Sequence, residues 1–279
     1  MPGVLHVIAT PIGNLGDLSP RAVEVLKTVD LLLCEDTRHT GHLLATLGLK
    51  KETASLHAHN ELGKIPQILE RLQAGQQIGL VSDAGTPALS DPGQLLVDAV
   101  HAAGLQVRTV PGPFAVAAAL AASGLTPIPC AFWGFLPKKT RELETLLERV
   151  LQPATHAQDQ PMTHAFYVPG RDLRAVVQTL AGVRADARVV VARELTKIHE
   201  GYLRGVPTEI LAQLTDEMLR GEAVLLVEVR QGSPQQTLDP HLLVQEAKAA
   251  GRERKEAMAE IMKRTGLSRN AVYALWLQE

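Results

Sequence analysis

Short apolar runs alternate with stretches of helical periodicity along most of this chain. "VLHVIAT", Val4 to Thr10, is an apolar run bounded by turn residues and predicts a buried strand. Ser19 precedes Pro20 and the periodic stretch "RAVEVLKTV", the pattern of a capped helix start. "DLLLCED", Asp30 to Asp36, predicts a second buried strand that ends in charge. Then come a helix "TGHLLATLGL" stopped at Gly48, a polar segment around "SLHAHNE", a helix "IPQILERLQAG" and a strand "QIGLVSD". "GQLLVDAVHAAG" predicts the next helix and "QVRTV" the next strand. A β-α repeat over the first ~110 residues predicts a mostly parallel sheet. Ligands in such sheets sit beyond the carboxyl ends of the strands.

"PGPFAVAAALAASG" reads as a loop that turns into an Ala-rich helix, and the pattern restarts near Cys130 with "AFWGFLPKKTRE". After the uneven segment "QPATHAQDQPMTH" come strand "AFYV", helix "LRAVVQTLAG", strand "ARVVVAREL", helix "PTEILAQL" and strand "EAVLLVEV". "QGSPQQTLDP" is a linker by composition. The tail beyond it lacks a strand signal. "EAMAEIMKRTG", "LS" and "RNAVYALW" have the spacing of helix, tight turn and helix, with Ser268 as cap. That spacing suits a helix-turn-helix or a small helical cap. The expected division is an N-terminal α/β domain over 1–112, a second α/β domain over 113–230, and a linker with a helical tail over 231–279.

Composition narrows the class. The 279 residues are 46% apolar and suffice for two cores. A formal charge of -2 argues against a protein that is basic all over, though a local basic face would serve for nucleic acid. Cys34 and Cys130 make no disulfide framework and read as small core residues. "MPGVLHVIATPIG" lacks the basic start of a signal peptide, and no stretch approaches the ~20 apolar residues that span a bilayer. The expected setting is soluble and cytoplasmic.

Special backbone gathers at the strand ends. In "SDAGTPALSDPG", Gly85 permits close approach of a ligand, Pro87 fixes its neighbour, and Asp83 and Thr86 offer polar groups. The loop reads as a ligand site or as an elaborate turn whose acids cap local N–H groups. Pro111-Gly112-Pro113 before Phe114 and Ala115 leaves room for a flat ligand, or for tight helix–sheet packing. Neither loop is a P-loop, and no GxGxxG precedes a helix. "CEDTRHTGH" sets Glu35, Asp36, Arg38, His39 and His42 after a strand, for acid–base chemistry or for an Arg38–carboxylate pair that orders the loop. With His57 and His59 these histidines lack a third metal ligand of clear type, so no metal is expected. Lys138, Lys139 and Arg141 form one basic cluster; Arg252, Arg254, Lys255, Lys263, Arg264 and Arg269 form another. Both could neutralise phosphates or simply face solvent.

"LHVIATPIGNLGDLSPRAVEVLKTVDLLLCEDTRHTGHLL", "SLHAHNE", "IGLVSDAGTPALSDPG", "VPGPFAVAAAL", "GFLPKK", "ARELTK" and "GEAVLLVE" closely resemble the ribosomal small-subunit methyltransferase I family. That family belongs to the tetrapyrrole (corrin/porphyrin) methylase superfamily, and the resemblance spans nearly the whole chain. It implies two α/β domains of the tetrapyrrole methylase type with a cofactor cleft between them, plus a small C-terminal helical extension. It implies S-adenosyl-L-methionine as cofactor, a homodimer, and methyl transfer to the ribose 2'-hydroxyl of a cytidine in 16S rRNA of the small ribosomal subunit. The superfamily's cofactor loops fall on Pro11, on Asp83, Ala84, Gly85, Thr86, Pro87 and Leu89, and on Pro111, Gly112, Phe114 and Ala115. Second-domain contacts are expected near Tyr167 and Leu195, while Ser90 to Gly93 is expected to shape the turn into the next helix. Gly85-Thr86-Pro87 stands where the superfamily has Gly-Asp-Pro, a detail of the ribosomal branch that favours RNA over a tetrapyrrole. One stretch departs: the family's "FYES" and its His-Arg pair read "FYVPGRDL" here, with Val168, Pro169 and Gly170 replacing Glu, Ser and His.

A 2'-hydroxyl is a weak nucleophile and calls for a proton acceptor. Asp36 or Glu35 is expected to take or orient that proton, with Arg38 and Lys197 near phosphate or ribose. The competing readings are a tetrapyrrole methyltransferase and a cofactor-binding protein that docks on RNA without catalysis.

Overall fold

The computed structural model describes residues 1–152, 161–229, 240–249, 252–265 and 269–278. They belong to two compact units, one made of residues 1–152 and 161–229 and the other containing the C-terminal helices.

The first half of the larger unit carries β1 (Val4–Ile8), α1 (Pro20–Thr28), β2 (Leu31–Cys34), α2 (Thr37–Thr46), β3 (Glu52–Ser55), α3 (Glu61–Gln73), β4 (Ile78–Leu80), α4 (Gln94–Ala102) and β5 (Gln106–Val110). The strands form one parallel sheet in the order β3-β2-β4-β1-β5. β2 and β4 are buried along their whole length, because helices cover both faces. On one face Leu5, Leu31, Leu33, Ile78 and Leu80 pack against Ile68 and Leu72 of α3 and Leu96 and Val100 of α4. On the other, Ile8, Leu32 and Cys34 pack against Ala22 and Leu26 of α1 and Leu44 of α2. Ser19 caps α1 as expected, its hydroxyl accepting from the Ala22 amide at 3.1 Å. Two helices begin earlier than their apolar periodicity suggests. α2 starts at Thr37 because the Asp36 carboxylate accepts from the Arg38 amide at 2.8 Å. α3 starts at Glu61, before the apolar Ile65.

The second half carries α5 (Ala115–Ser123), β6 (Cys130–Phe135), α6 (Thr140–Val150), β7 (Met162–Pro169), α7 (Leu173–Val183), β8 (Arg188–Arg193), β9 (Gly201–Gly205), α8 (Pro207–Gln213) and β10 (Glu222–Val229). Its sheet runs β6-β7-β10-β8-β9. Only β6 and β7 pair parallel; the other pairs are antiparallel. Alternation along β10 sends Leu225 and Val227 into a core with α6, α7 and α8, and Val224 and Leu226 into a core with Val116 and Ala119 of α5. α5 therefore packs on the second sheet. Just beyond it, the Glu228 carboxylate accepts from the Thr126 amide at 2.7 Å and pairs with Arg188 at 2.6 Å. Cys34 is buried, as a small core residue should be, whereas Cys130 is exposed on edge strand β6.

The C-terminal unit contains α9 (Pro240–Ala249), α10 (Arg254–Thr265) and α11 (Arg269–Gln278), packed around Leu243, Val244, Met258, Ile261 and Val272. The turn with Ser268, most of the linker and the irregular segment over 153–160 lie outside the described residues. Three of the tail's cations are engaged within the unit: Arg252 pairs with Glu260 at 2.6 Å, the Arg254 guanidinium lies over the Tyr273 ring, and the Lys248 ammonium lies over the Trp276 ring. No described helix is long and apolar enough to cross a membrane.

Candidate functional site

The loops after β1, β4 and β5 are tied together at the carboxyl end of the first sheet. Thr10 and Gly85 exchange backbone hydrogen bonds at 2.8 and 3.2 Å, and the Thr10 hydroxyl donates to the Ser82 carbonyl at 3.1 Å. The Thr86 hydroxyl donates to the Pro113 carbonyl at 3.0 Å. Gly85 has φ 83°, and a Cβ there would lie 3.3 Å from Ile12, so glycine is what lets these loops close on one another.

Beside these loops lies a cleft between the two sheets. From the first half it is lined by Ile12, Asp83, Ala84, Gly85, Thr86, Leu89, Asp91 and, at the start of α5, Ala115. The opposite wall is Phe135, Tyr167, Val168, Ala192, Glu194, Leu195, Lys197, Glu222, Ala223 and Val224. The expected residues Asp83, Ala84, Gly85, Thr86, Leu89, Ala115, Tyr167, Leu195 and Lys197 thus meet around one space. Pro11, Pro87, Pro111, Gly112 and Phe114 do not line it. Pro87 is buried beneath the loop, Pro111 and Gly112 are exposed, and Phe114 turns edge-on to Phe132. Gly112 still has a packing role, since a Cβ there would meet that of Ala9 at 3.0 Å.

The "CEDTRHTGH" cluster divides. Asp36 forms a two-point pair with Arg38, at 3.1 and 2.6 Å. The Arg38 hydrogen bonds hold the Asp36 carboxyl well below the usual carboxylate range, which makes it a weak proton acceptor. The pair orders the start of α2, one of the alternatives the sequence left open. Arg38 itself is exposed and committed to Asp36, so neither residue reaches the cleft. Glu35 is shifted the other way: partial burial and the nearby Asp83 charge push its carboxyl up. Lys197 lines the cleft, pairs with Glu194 at 3.2 Å, and has its stem against Gly13. His57 sits edge-on to His59 with ring centroids 6.1 Å apart, and its Nε2 lies 3.0 Å from Asn60 Nδ2. Among the described residues no group of three or more His, Cys, Asp or Glu side chains could hold a metal ion.

Acids dominate the electrostatics of the cleft. Burial, then the charges of Glu35, Asp83 and Glu222, push the Asp91 carboxyl up to about 6. Burial, with Asp91 and Glu222 nearby, pushes the Tyr167 phenol up to about 12, so it remains a neutral donor.

The family model for Tetrapyrrole (Corrin/Porphyrin) Methylases matches residues 4–211. A protein of Synechocystis sp. named "Ribosomal RNA small subunit methyltransferase I" is 40% identical over 99% of this chain and 98% of its own. The chain belongs to that family of tetrapyrrole methylases. Proteins with the same name from Xylella fastidiosa and Escherichia coli O157:H7 are 46% and 38% identical over 81% and 99% of this chain and 82% and 96% of theirs. Solved structures share the fold at lower identity. Diphthine synthase superposes with a TM-score of 0.58 at 13% identity, covering 81% of this chain and 89% of that one. The methyltransferase CobJ gives 0.56 at 22%, covering 81% and 93%. A uroporphyrin-III C-methyltransferase from Thermus thermophilus, complexed with S-adenyl homocysteine, gives 0.54 at 15%, covering 81% and 97%.

Against the family pattern, "FYVPGRDL" closes β7 with a buried Val168 on the cleft wall, and Gly170 is buried against the Arg220 backbone. The carboxylates on that side come instead from Glu222 and Glu194. Sequence reasoning missed both, along with Ile12, Phe135, Ala192, Ala223 and Val224. Glu194 lies in the motif "ARELTK" and Glu222 in "GEAVLLVE", signals within reach, although as the start of an ordinary strand Glu222 gave no local mark of a ligand. Ser90 to Gly93 shapes the turn into α4, and the Asp91 side chain also lines the cleft.

Proposed function

We propose that the protein is an S-adenosyl-L-methionine-dependent methyltransferase of the ribose 2'-hydroxyl of a cytidine in 16S rRNA of the small ribosomal subunit. The observation that carries this reading is the 40% identity, over 99% of the chain, to a protein named for small-subunit rRNA methylation. The cleft's own chemistry fits the cofactor. Carboxylates from Asp83, Glu194 and Glu222 suit a cationic ligand, and Gly85, Ala84, Ala115, Ala192 and Ala223 leave space for a flat one. When bound, the cofactor supplies a methyl group activated on a sulfonium sulfur. Asp83 to Thr86, Leu89 and Ala115 would hold it from one side, and Tyr167 and Leu195 from the other. Pro11, Pro87, Pro111, Gly112 and Phe114 would shape those loops rather than touch the ligand.

Fixing both reactants in line supplies much of the rate in such a transfer. Lys197 would meet phosphate or ribose, and the Asp36–Arg38 pair would hold the loop that carries Glu35. We place the domain boundaries at residues 112 and 230, with the cofactor between the first two parts and the tail as an RNA-docking extension. The exposed Ala117, Ala118, Ala121 and Ala122 of α5 suit the interface of a homodimer, and the setting is cytoplasmic. The test is incubation with methyl-labelled cofactor and small subunits from a strain lacking the activity. Label recovered in 2'-O-methylcytidine is the expected result. Label in a tetrapyrrole but none in RNA would overturn the reading.

A further inference from the structure

A backbone device holds the side chain at position 91 in the cleft. The chain from Ala88 to Gly93 carries positive φ at Ala88 (65°), Ser90 (70°) and Gly93 (126°). Two of these residues are not glycine, so the turn holds strain that ordinary loops avoid. Its far end is anchored from a neighbouring helix: the buried Glu61 carboxylate accepts from the Gly93 and Leu96 amides, each at 3.0 Å. Its near flank abuts β6, where a Cβ on Gly134 would lie 2.9 Å from the Ser90 hydroxyl. Between these supports Asp91 is half-buried and lines the cleft with Asp83, Tyr167 and Glu222.

From this geometry we infer that Asp91 is the proton acceptor for the attacking ribose hydroxyl. The inference rests on the ribose methyltransferase reading. The 2'-oxygen forms its bond to the methyl carbon as the carbon–sulfur bond breaks, the electron pair going to sulfur. The hydroxyl proton passes to an Asp91 oxygen, leaving a neutral carboxyl. Sulfur loses its positive charge and the carboxylate its negative one, so atoms and charge balance.

The groups facing Asp91 fit this task. Glu35 from the end of β2, Asp83 from the loop after β4, and Glu222 of β10 all disfavour a second negative charge nearby, and the nearby Ser82 hydroxyl opposes them. Tyr167 of β7 faces it as a neutral phenol. Lys197 on the opposite wall is paired with Glu194. With burial, these charges bring its proton affinity close to neutrality, where a general base works best. Asp36, with its carboxyl held low by Arg38, lacks that property.

Asp91→Asn, Asp91→Glu and wild type would be compared on small subunits lacking the modification, alongside 13C-carboxyl NMR of the cofactor-free protein labelled at aspartate. The expected result is an Asn variant slowed in kcat by about 10²- to 10⁴-fold, with S-adenosylhomocysteine affinity by calorimetry within about twofold of wild type. The Glu variant should recover part of the rate. The resonance missing from the Asn variant should titrate near 6 in wild type, matching the acid limb of its kcat/KM–pH profile, which reports the free enzyme. An Asn variant within about fivefold of the wild-type kcat, or an Asp91 resonance titrating at an ordinary aspartate value near ~4, overturns the inference and leaves the methyltransferase reading intact. Wild-type protein that labels no RNA overturns both.

Discussion

Truncation of Glu61 should release the loop that carries Asp91. Glu61 is 4% exposed and opens α3, yet its Oε1 serves α4 by accepting from the Gly93 and Leu96 amides, each at 3.0 Å. Hydrogen bonds to a charged partner contribute about 1.5–3 kcal/mol each, and a donor left buried without one costs about as much. Two bonds give about 3–6 kcal/mol for Glu61→Ala. Water entering the space left by the side chain restores part of this, so about 2–4 kcal/mol is expected. Glu61→Gln keeps an oxygen in place and loses only the charge at the α4 N-terminus, at about 0.3–1 kcal/mol, or ~2 where buried. Native-state hydrogen exchange reads the result locally. Protection at the Gly93 and Leu96 amides should fall roughly 30- to 1,000-fold in the Ala variant, since about 1.4 kcal/mol is a factor of ten. In the Gln variant the fall should be about 30-fold or less. If both amides of Glu61→Ala exchange within about threefold of wild type, the carboxylate does not hold this loop.

Two further predictions concern the second half of the larger unit. Glu228 is fully buried, and although burial raises its pKa, the Thr126 amide and Arg188 outweigh that and lower it overall. Removing one partner of a fully buried pair costs about 3–5 kcal/mol; Arg188 is 38% exposed, so Arg188→Ala should cost less than that and still lower the urea midpoint. A depressed carboxylate pKa means this stability is present above the unfolded value near ~4.3 and lost as pH falls through the folded one. His164 is buried and accepts from the Trp133 indole at 3.0 Å, and burial lowers its pKa to about 4. The unfolded chain then binds more protons between the ordinary value near ~6.5 and about 4, so stability is lost as pH drops across that window. His164→Gln should flatten that slope in thermal melts; an unchanged slope would show that His164 does not set it.

Burial decides which elements the sequence reveals. β1, β2 and β4 are covered by helices, so their apolar runs are unbroken and legible. The three strands missed, β3 "ETAS", β6 "CAFWGF" and β9 "GYLRG", are edges of their sheets. An edge strand has one partner and little buried surface; β3 exists because Glu52 to Ser55 pair with Leu31 to Cys34. The site follows the same logic. Gly and Pro mark the first-half loops, because close approach needs special backbone. The opposite wall at Glu222, Ala223 and Val224 is the start of a regular strand, and regular strands carry no such mark. Asp91 was visible in "SDPG", but a turn aspartate and a cleft aspartate look alike until the loop's path is known.

That path separates structural need from functional need. Among the described residues, the non-glycine positions with positive φ are Ala88, Ser90, Glu194 and Thr196. They sit in two loops on opposite walls, one presenting Leu89 and Asp91 and the other presenting Leu195 and Lys197 to the same cleft. Where only the turn matters, the fold uses glycine: Gly93 at φ 126° ends the first loop, and Gly221 at φ 70° clears space for the Glu194 carboxylate. Side chains kept in strained backbone cost about 1–3 kcal/mol each. A fold that needed only to turn would place glycine at all of these positions. Strain concentrated beside the residues that line the cleft is what a site must keep when it aims particular side chains at a ligand.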